Sequence, residues 1–236
     1  MKCNLIRAAI LSVLLLLFVS ASFASTTKTY IEKMSGWESC SACAGAAGSG
    51  PTVSHSMTQG ITSPTLGAKS ARFSISGTKA YGNALWWKQL GADSNAHNFQ
   101  YDVHYYLKNP SAAQALEFDV NQGVGGHKFI FGTQCDLASH NYDVYSKATH
   151  WVHTGISCAR PTAYKWHHIT LEFQRTSGGN VHFVSVSIDG NKHYINRTYA
   201  PESSSTKELD VAFQMDGNKY MTDYQTWVED VSLKYW

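Results

Sequence analysis

Two carboxylates stand two residues apart in a short alternating stretch, a spacing that suits proton transfer or hydrogen bonding to a ligand. In residues 116–122 an alternation with period two places three apolar residues on one face of a strand and Glu117, Asp119 and Asn121 on the other. Like charges this close repel unless a cation, a hydroxyl-rich molecule or a bound proton lies over them. We therefore expect this face to hold a ligand.

The same stretch resembles the catalytic strand of the jelly-roll glucanases in the concanavalin-like superfamily. That strand carries Glu-x-Asp followed by a second Glu, which serve as nucleophile, supporting aspartate and acid/base. Glu117 and Asp119 match the first two acids, whereas Asn121 or Gln122 stands at the third position, depending on the register. An amide cannot supply the proton that the leaving oxygen needs. The resemblance implies a jelly roll with a sugar-shaped groove, and the amide argues against hydrolysis.

A second resemblance covers the later part of the chain. Residues 166–173, followed by residues 184–191, look like a hairpin of laminin-G-type and other concanavalin-like lectin sandwiches, and residues 227–235 are similar to their closing strand. Asp189 and Gly190, at the end of the second segment, supply a positive-φ turn between two strands. This resemblance implies architecture and not chemistry.

Short alternating runs, separated by Gly, Asn, Asp and Pro, follow one another along most of the chain, and we find no helical stripe of useful length. The runs predicted as strands are 71–76, 84–89, 99–107, 115–122, 127–134, 151–153, 166–174, 181–188, 193–196, 209–215 and 225–235. This many short strands, without a repeat of fixed period, predict an all-β chain that forms a two-sheet antiparallel jelly-roll sandwich.

Residues 1–24 have the features of a secretory signal peptide. Lys2 and Arg7 precede an apolar run, and Ser22, Phe23 and Ala24 form a small-x-small cleavage site. No later stretch is long and apolar enough to span a bilayer. We expect a secreted protein, extracellular or periplasmic, that does not insert into a membrane after the signal is removed. The predicted organisation is a signal peptide (1–24), an irregular N-terminal segment with a short disulfide (25–63) and a β-sandwich domain (64–236).

The four cysteines beyond the signal peptide should be oxidised, because export leads to a disulfide-permissive compartment. We expect Cys40 to pair with Cys43, and Cys135 with Cys158, since each pair closes a local loop flanked by turn-forming residues. The alternative is a four-thiolate zinc site, which lacks the second Cys-x-x-Cys that such sites usually have.

Charge and histidine spacing bear on partners and cofactors. The formal net charge is +2 at pH 7, and Lys2 and Arg7 of the signal peptide account for it, so the remaining chain is close to neutral and has no basic excess for nucleic acid. The histidines are scattered, and the adjacent His167 and His168 point to opposite faces of a strand. We predict no metal and no cofactor from spacing. The lectin resemblance allows a structural calcium ion, whose ligands nothing in the sequence marks.

Further polar and aromatic residues are candidates for the face of Glu117. Only one member of the pair Trp86 and Trp87 can face a ligand, because neighbours on a strand point to opposite sides, and Trp151 could form a groove rim within the loop closed by Cys135 and Cys158. Packing in the core is the structural alternative for these aromatics. The predicted ligand-binding residues are Gln100, Asp102, His104, Glu117, Asp119, Asn121, Gln122, Gln214, Trp86 and Trp151.

The leading hypothesis is a secreted, lectin-like β-sandwich that binds carbohydrate without cleaving it. The first alternative is a glycoside hydrolase or polysaccharide lyase in which Glu117 is the nucleophile or base and an acid comes from another strand, such as Asp102 or His104. The second alternative is an extracellular protein-interaction module with no sugar site.

Overall fold

The computed structural model describes residues 25–41 and 51–236, and strands dominate them. Two short 3-10 helices, η1 (Ile31–Lys33) and η2 (Pro110–Ala112), accompany the strands. The strands are β1 (Thr26–Lys28), β2 (Trp37–Ser41), β3 (Ser54–Ile61), β4 (Ser70–Ser76), β5 (Asn83–Gln89), β6 (Asn98–Leu107), β7 (Ala113–Val124), β8 (His127–Phe131), β9 (Thr133–Asp136), β10 (Asn141–Ser146), β11 (His150–Ser157), β12 (Lys165–Arg175), β13 (Val181–Ile188), β14 (Asn191–Tyr199), β15 (Glu202–Ser203), β16 (Glu208–Gly217) and β17 (Tyr224–Tyr235).

Two antiparallel sheets stack to form a sandwich. The eight-stranded sheet has the order β14-β13-β12-β6-β17-β4-β3, with β1 also paired to β17. The nine-stranded sheet has the order β11-β10-β9-β7-β16-β5-β2, with β8 paired to β7 and β15 paired to β8. The prediction of an all-β, two-sheet jelly-roll sandwich is confirmed.

The core lies between the sheets and is rich in aromatic rings. Phe73 of the eight-stranded sheet contacts Trp86 and Phe213 of the nine-stranded sheet, with ring centroids 5.1 and 5.0 Å apart. Phe118 lies beside Phe213 at 5.3 Å. Burying each such side chain stabilises the fold by about 2–3 kcal/mol. Because side chains alternate along a strand, the residues between these core positions face outward.

The described residues of the predicted irregular segment, 25–41 and 51–63, instead form regular structure. They supply β1, β2 and β3, which pair with β17, β5 and β4. The helix η1 is also part of the sandwich, because the carboxylate of Glu32 accepts a hydrogen bond from the backbone N–H of Val231 at 3.0 Å. These strands are rich in Ser, Thr and Gln rather than in alternating apolar residues, which explains why their sequence does not reveal them. The predicted signal peptide lies outside the described residues. Cys43 does so as well, and the predicted Cys40–Cys43 bridge therefore lies partly outside them.

The predicted disulfide between Cys135 and Cys158 is confirmed, with Cα atoms 5.7 Å apart. This bond contradicts the alternative of a four-thiolate zinc site. The chain that it encloses is largely β10 and β11 rather than a loop. Among the described residues no helix is both long enough and apolar enough to cross a membrane.

The hairpin of β13 and β14 has the turn that the sequence predicts. Asp189 and Gly190 have φ values of 49° and 85°, and Ile188 pairs directly with Asn191. Further along β14 the register shifts between Tyr194 and Arg197, so that β14 has one residue more than β13 at this point. This β-bulge includes Asn196, whose φ is 48°.

Replacing both Cys135 and Cys158 by Ser should lower the free energy of unfolding by about 3 kcal/mol, because the bond closes a long loop in the unfolded chain. The closed loop spans a sequence separation of 23 residues. Chemical denaturation of the double variant and of the oxidised parent measures the difference. An unchanged denaturation midpoint would show that the bond does not limit the unfolded ensemble.

Candidate functional site

A row of polar side chains crosses the outward face of the nine-stranded sheet. Glu117 on β7 is directly opposite Gln134 on β9 and Gln214 on β16, and Gln134 is opposite Asp143 on β10. Residues in register across antiparallel strands share a face. The row is nevertheless shielded from solvent, since Glu117 is only 3% exposed.

Amide groups link the acids of this row. The Gln214 Nε2 atom donates a hydrogen bond to Glu117 Oε1, and Gln134 Nε2 donates to Asp143 Oδ2 at 2.9 Å. At the end of the row, Asp143 Oδ1 lies 2.6 Å from Nδ1 of the exposed His153. This contact raises the pKa of His153, because a carboxylate stabilises the imidazolium form.

Asp216 places a second carboxyl group against Glu117. It lies two residues beyond Gln214 on the same face of β16, and Gln214 Nε2 contacts Asp216 Oδ1 at 3.0 Å. Burial, followed by the charges of Asp216 and Asp119, raises the pKa of Glu117 well above its usual value. Burial also raises the pKa of Asp216, while hydrogen bonds from Gln214 and Glu117 oppose that shift. Burial thus favours a protonated carboxyl group within this coupled pair.

Asp119 and Asp210 extend the acidic face beyond this pair. The backbone N–H of Thr133 donates to Asp119 Oδ1 at 2.8 Å, and Asn121 Nδ2 donates to Asp210 Oδ1 at 2.9 Å. Burial raises the pKa of Asp119 in spite of the bond from Thr133. Burial likewise raises the pKa of Asp210 to about 7, although the hydrogen bond from Asn121 lowers it. Hydrogen bonds thus offset only part of the cost of shielding these carboxylates from water.

A cavity of about 300 Å³ opens on this face beside the partly exposed Trp87. Gln89 Nε2 lies 3.4 Å from Asp210 Oδ2 in its wall, and Lys128 forms an ion pair with Glu208 at 2.9 Å. Such a cavity combines an aromatic surface with oriented hydrogen-bonding groups. It is lined by Cys40, Leu85, Trp87, Gln89, Asn121, Lys128, Glu208, Asp210 and Ala212.

The structure brings together part of the predicted site. Glu117, Asp119, Asn121 and Gln214 share the outward face of the nine-stranded sheet. Trp151 faces the same side from β11, opposite Tyr145, at the edge of that sheet. Of these five residues, Asn121 lines the cavity beside Trp87.

Two predicted residues point into the sandwich. Gln122 follows Asn121 and therefore faces the other side of β7, where its Nε2 donates to the carbonyl oxygens of Asp93 at 2.7 Å and Ala96 at 2.9 Å. Trp86 packs in the core at 2% exposure. Its neighbour Trp87 takes the outward position, since adjacent strand residues alternate.

Three further predicted residues belong to the other sheet. Gln100, Asp102 and His104 lie on β6, which pairs with β12 and β17. The prediction that they share a face with Glu117 is wrong, because alternation shows which residues of one strand face together but not which strands are neighbours. Neither Asp102 nor His104 can therefore act on a substrate with Glu117.

The predicted ligand-binding set leaves out several residues of this face, among them Trp87, which the sequence offers only as the alternative to Trp86: Asp143, His153, Gln134, Trp87, Asp210 and Asp216. Alternation in β16 already puts Asp210, Gln214 and Asp216 on one side, so a signal for the two aspartates is present in the sequence. Asp143 lies between the predicted strands 127–134 and 151–153, and His153 ends the second of them, so a pairing between the two residues has no signal in the sequence.

Fold and site define a jelly-roll β-sandwich with a shielded acidic face. No protein-family profile matches the sequence, and no curated protein sequence matches it. Solved structures do match. A carbohydrate esterase from the Shiga toxin-encoding bacteriophage phi24B is 13% identical with a TM-score of 0.52, and the match covers 90% of this chain and 99% of that chain.

Two other solved structures are similar at lower scores. Arcelin-5, a lectin-like defense protein from Phaseolus vulgaris, is 9% identical with a TM-score of 0.49 over 90% of this chain and 98% of that chain. A family 11 carbohydrate-binding module from Clostridium thermocellum is 13% identical with a TM-score of 0.42 over 90% and 96%. The two antiparallel sheets and the match to the phage protein confirm the jelly-roll fold that the sequence resemblance implies.

The stability of the protein should fall as the pH rises from 5 to 8. The Asp210 carboxyl keeps its proton in the folded state up to a pKa of about 7, whereas its usual value is 3.8. Between these values the folded state binds more protons than the unfolded chain, and stability therefore decreases with pH. The variant Asp210→Asn should lose on the order of 2 kcal/mol of this dependence.

Denaturation at both pH values measures the slope for the parent and for Asp210→Asn. The variant Asp223→Asn is the matched control, because Asp223 is exposed on a loop, and it should keep the slope of the parent. Equal slopes in Asp210→Asn and the parent would contradict the raised pKa.

Proposed function

We propose that this protein is exported and binds carbohydrate in the cavity beside Trp87. The observation that carries the proposal is the partly exposed indole of Trp87 next to the linked side chains of Asp210, Asn121 and Gln89. The apolar face of a sugar ring stacks on an aromatic ring, and its hydroxyl groups hydrogen-bond to carboxylate and amide groups. The cavity of about 300 Å³ lies in the size range of small-molecule sites.

The charge of the face narrows the class of ligand. Glu208 and Asp210 line the cavity, and Glu117, Asp119 and Asp216 lie on the same side of the sheet. Among the lining residues the cation is Lys128, which is already paired with Glu208, so the cavity offers no unpaired cation to a sugar that carries a carboxylate or sulfate. A neutral or amino sugar fits better, because its hydroxyl or ammonium groups donate hydrogen bonds to carboxylates.

Two further observations support the proposal. The disulfide between Cys135 and Cys158 is typical of oxidising compartments, as expected of an exported protein. The phage protein of similar fold is described as a carbohydrate esterase, so a sandwich of this shape occurs in a protein that acts on carbohydrate.

The variant Trp87→Ala should bind neutral glycans at least tenfold more weakly than the parent, because it removes the stacking surface. A glycan array identifies the ligand, and isothermal titration calorimetry measures its affinity. Trp166→Ala is the matched control, since Trp166 contacts Tyr106 on the other sheet and should leave the affinity unchanged. Equal affinity in Trp87→Ala and the parent would show that the binding site is not the cavity beside Trp87. A glycan array without any signal would contradict carbohydrate binding.

The Glu117–Asp216 pair supports a second candidate function, the cleavage of a glycosidic bond. Burial raises the pKa of both carboxyl groups, and such a pair can supply a protonated acid beside a carboxylate that acts as base or nucleophile. In this alternative the neighbouring strand β16 supplies the second acid that the sequence of β7 lacks. Glu117, whose pKa burial raises well above its usual value, would then act as the acid rather than as the nucleophile.

A reducing-sugar assay on the glycans that bind separates the two candidates. Under the binding proposal, the parent binds sugar and releases no product, and Glu117→Gln and Asp216→Asn bind as the parent does. Product that disappears in both variants while Trp166→Ala keeps its activity would favour the enzyme.

A further inference from the structure

Three side chains that commonly bind metals converge on the outward face of the eight-stranded sheet, on the opposite side of the sandwich from the acidic face. Asp102 and His104 are two residues apart on β6 and therefore point to the same side. His168 on β12 is directly opposite His104. The sheet thus brings together ligands that the sequence holds far apart.

The distances within this cluster suit a single ion. His168 Nε2 lies 2.9 Å from Asp102 Oδ1, and the rings of His104 and His168 are stacked with centroids 4.1 Å apart and planes 2° from parallel. One ligand atom from each residue lies within 4.8 Å of the other two. Ligand atoms about 2.1 Å from a common ion are separated by roughly 3–3.5 Å, so small side-chain rotations bring all three into range.

The surroundings of the cluster orient its ligands. Thr170 Oγ1 donates a hydrogen bond to Asp102 Oδ2 at 2.6 Å, which fixes the carboxylate with its other oxygen towards His168. Supporting hydrogen bonds of this kind are typical of metal-binding carboxylates. The side chains of Asp102 and His168 are 29% and 39% exposed, so an ion can reach them from solvent.

An ordinary His–Asp ion pair explains only part of this arrangement. It accounts for the contact between His168 and Asp102, but not for a second imidazole stacked on the first. The Nδ1 atom of His104 is buried without a hydrogen-bond partner.

We propose that Asp102, His104 and His168 bind a divalent transition-metal ion of the zinc class. Two imidazoles and one carboxylate favour such ions over calcium and magnesium, which prefer sites made of oxygen atoms. Three protein ligands leave a further position for water or for an external oxygen ligand. The prediction of no metal considers only the spacing of ligands within single strands. It does not cover this cluster, because its ligands come from two strands.

Isothermal titration calorimetry with zinc chloride at pH 7.5 tests the proposal on protein that carries no polyhistidine tag and has been treated with a chelator. We expect one zinc ion per chain, an affinity at least tenfold weaker in His104→Gln and in His168→Gln, and no saturable binding of calcium. His193→Gln is the control, because His193 is exposed on the edge strand β14, and it should bind zinc as the parent does. Melting curves without metal show whether each variant is folded.

Cobalt(II) provides a second measurement, since its visible absorption reports ligand type and geometry. The bands of a site with nitrogen ligands should appear in the parent and vanish in both histidine variants. Absence of saturable zinc binding in the parent, or equal affinity in the parent, His104→Gln and His168→Gln, would overturn the proposal. Trp87→Ala should bind zinc normally, so the result does not depend on the carbohydrate site.

Discussion

Phe118 and Phe213 contact each other on the inner side of the β7–β16 pair, while Glu117 and Gln214 meet on its outer side. Because side chains alternate, these two contacts are the two faces of a single register. A slip by one residue would turn the phenylalanines to solvent and the acids into the core. The packing of the aromatic core therefore also positions the acidic face.

The acids of this face are stabilised mainly by protons and amides rather than by cations. Gln214, Gln134, Asn121 and Gln89 donate hydrogen bonds to them, and burial raises the pKa of Glu117 and of Asp216. Shielded carboxylates with raised pKa values are costly to the fold, and such groups cluster at functional sites. A bound ligand that donates hydrogen bonds would replace part of the lost hydration, which links ligand binding to the stability of this sheet.

Alternation along single strands could be predicted from the sequence, and relations between strands could not. The shared face of Glu117, Asp119 and Asn121 follows from period two alone. The pairing of β7 with β16, which brings Asp216 to Glu117, depends on the three-dimensional order of the strands. For the same reason, Asp102 and His104 were predicted on the face of Glu117, and their contact with His168 was not predicted.

Two other errors have local causes. Trp86 and Trp87 must face opposite ways, but their sequence does not say which one meets Phe73 in the core. The edge strands β2 and β3 contain mostly small polar residues, because one or both of their faces meet water. The predicted β-sandwich domain therefore begins at residue 64, later in the chain than the observed sandwich, which begins with β1.

The bulge in β14 affects how molecules of this protein meet one another. β14 is the last strand of its sheet, and a straight, unpaired border of this length could recruit a strand from another copy and seed aggregation. The extra residue at Asn196 bends that border, and the exposed Arg197 gives it positive charge, whereas the charge of Lys192 is paired with Glu172. The β14 edges of two molecules therefore neither align nor attract each other, which protects the sheet from growing into fibrils along this side.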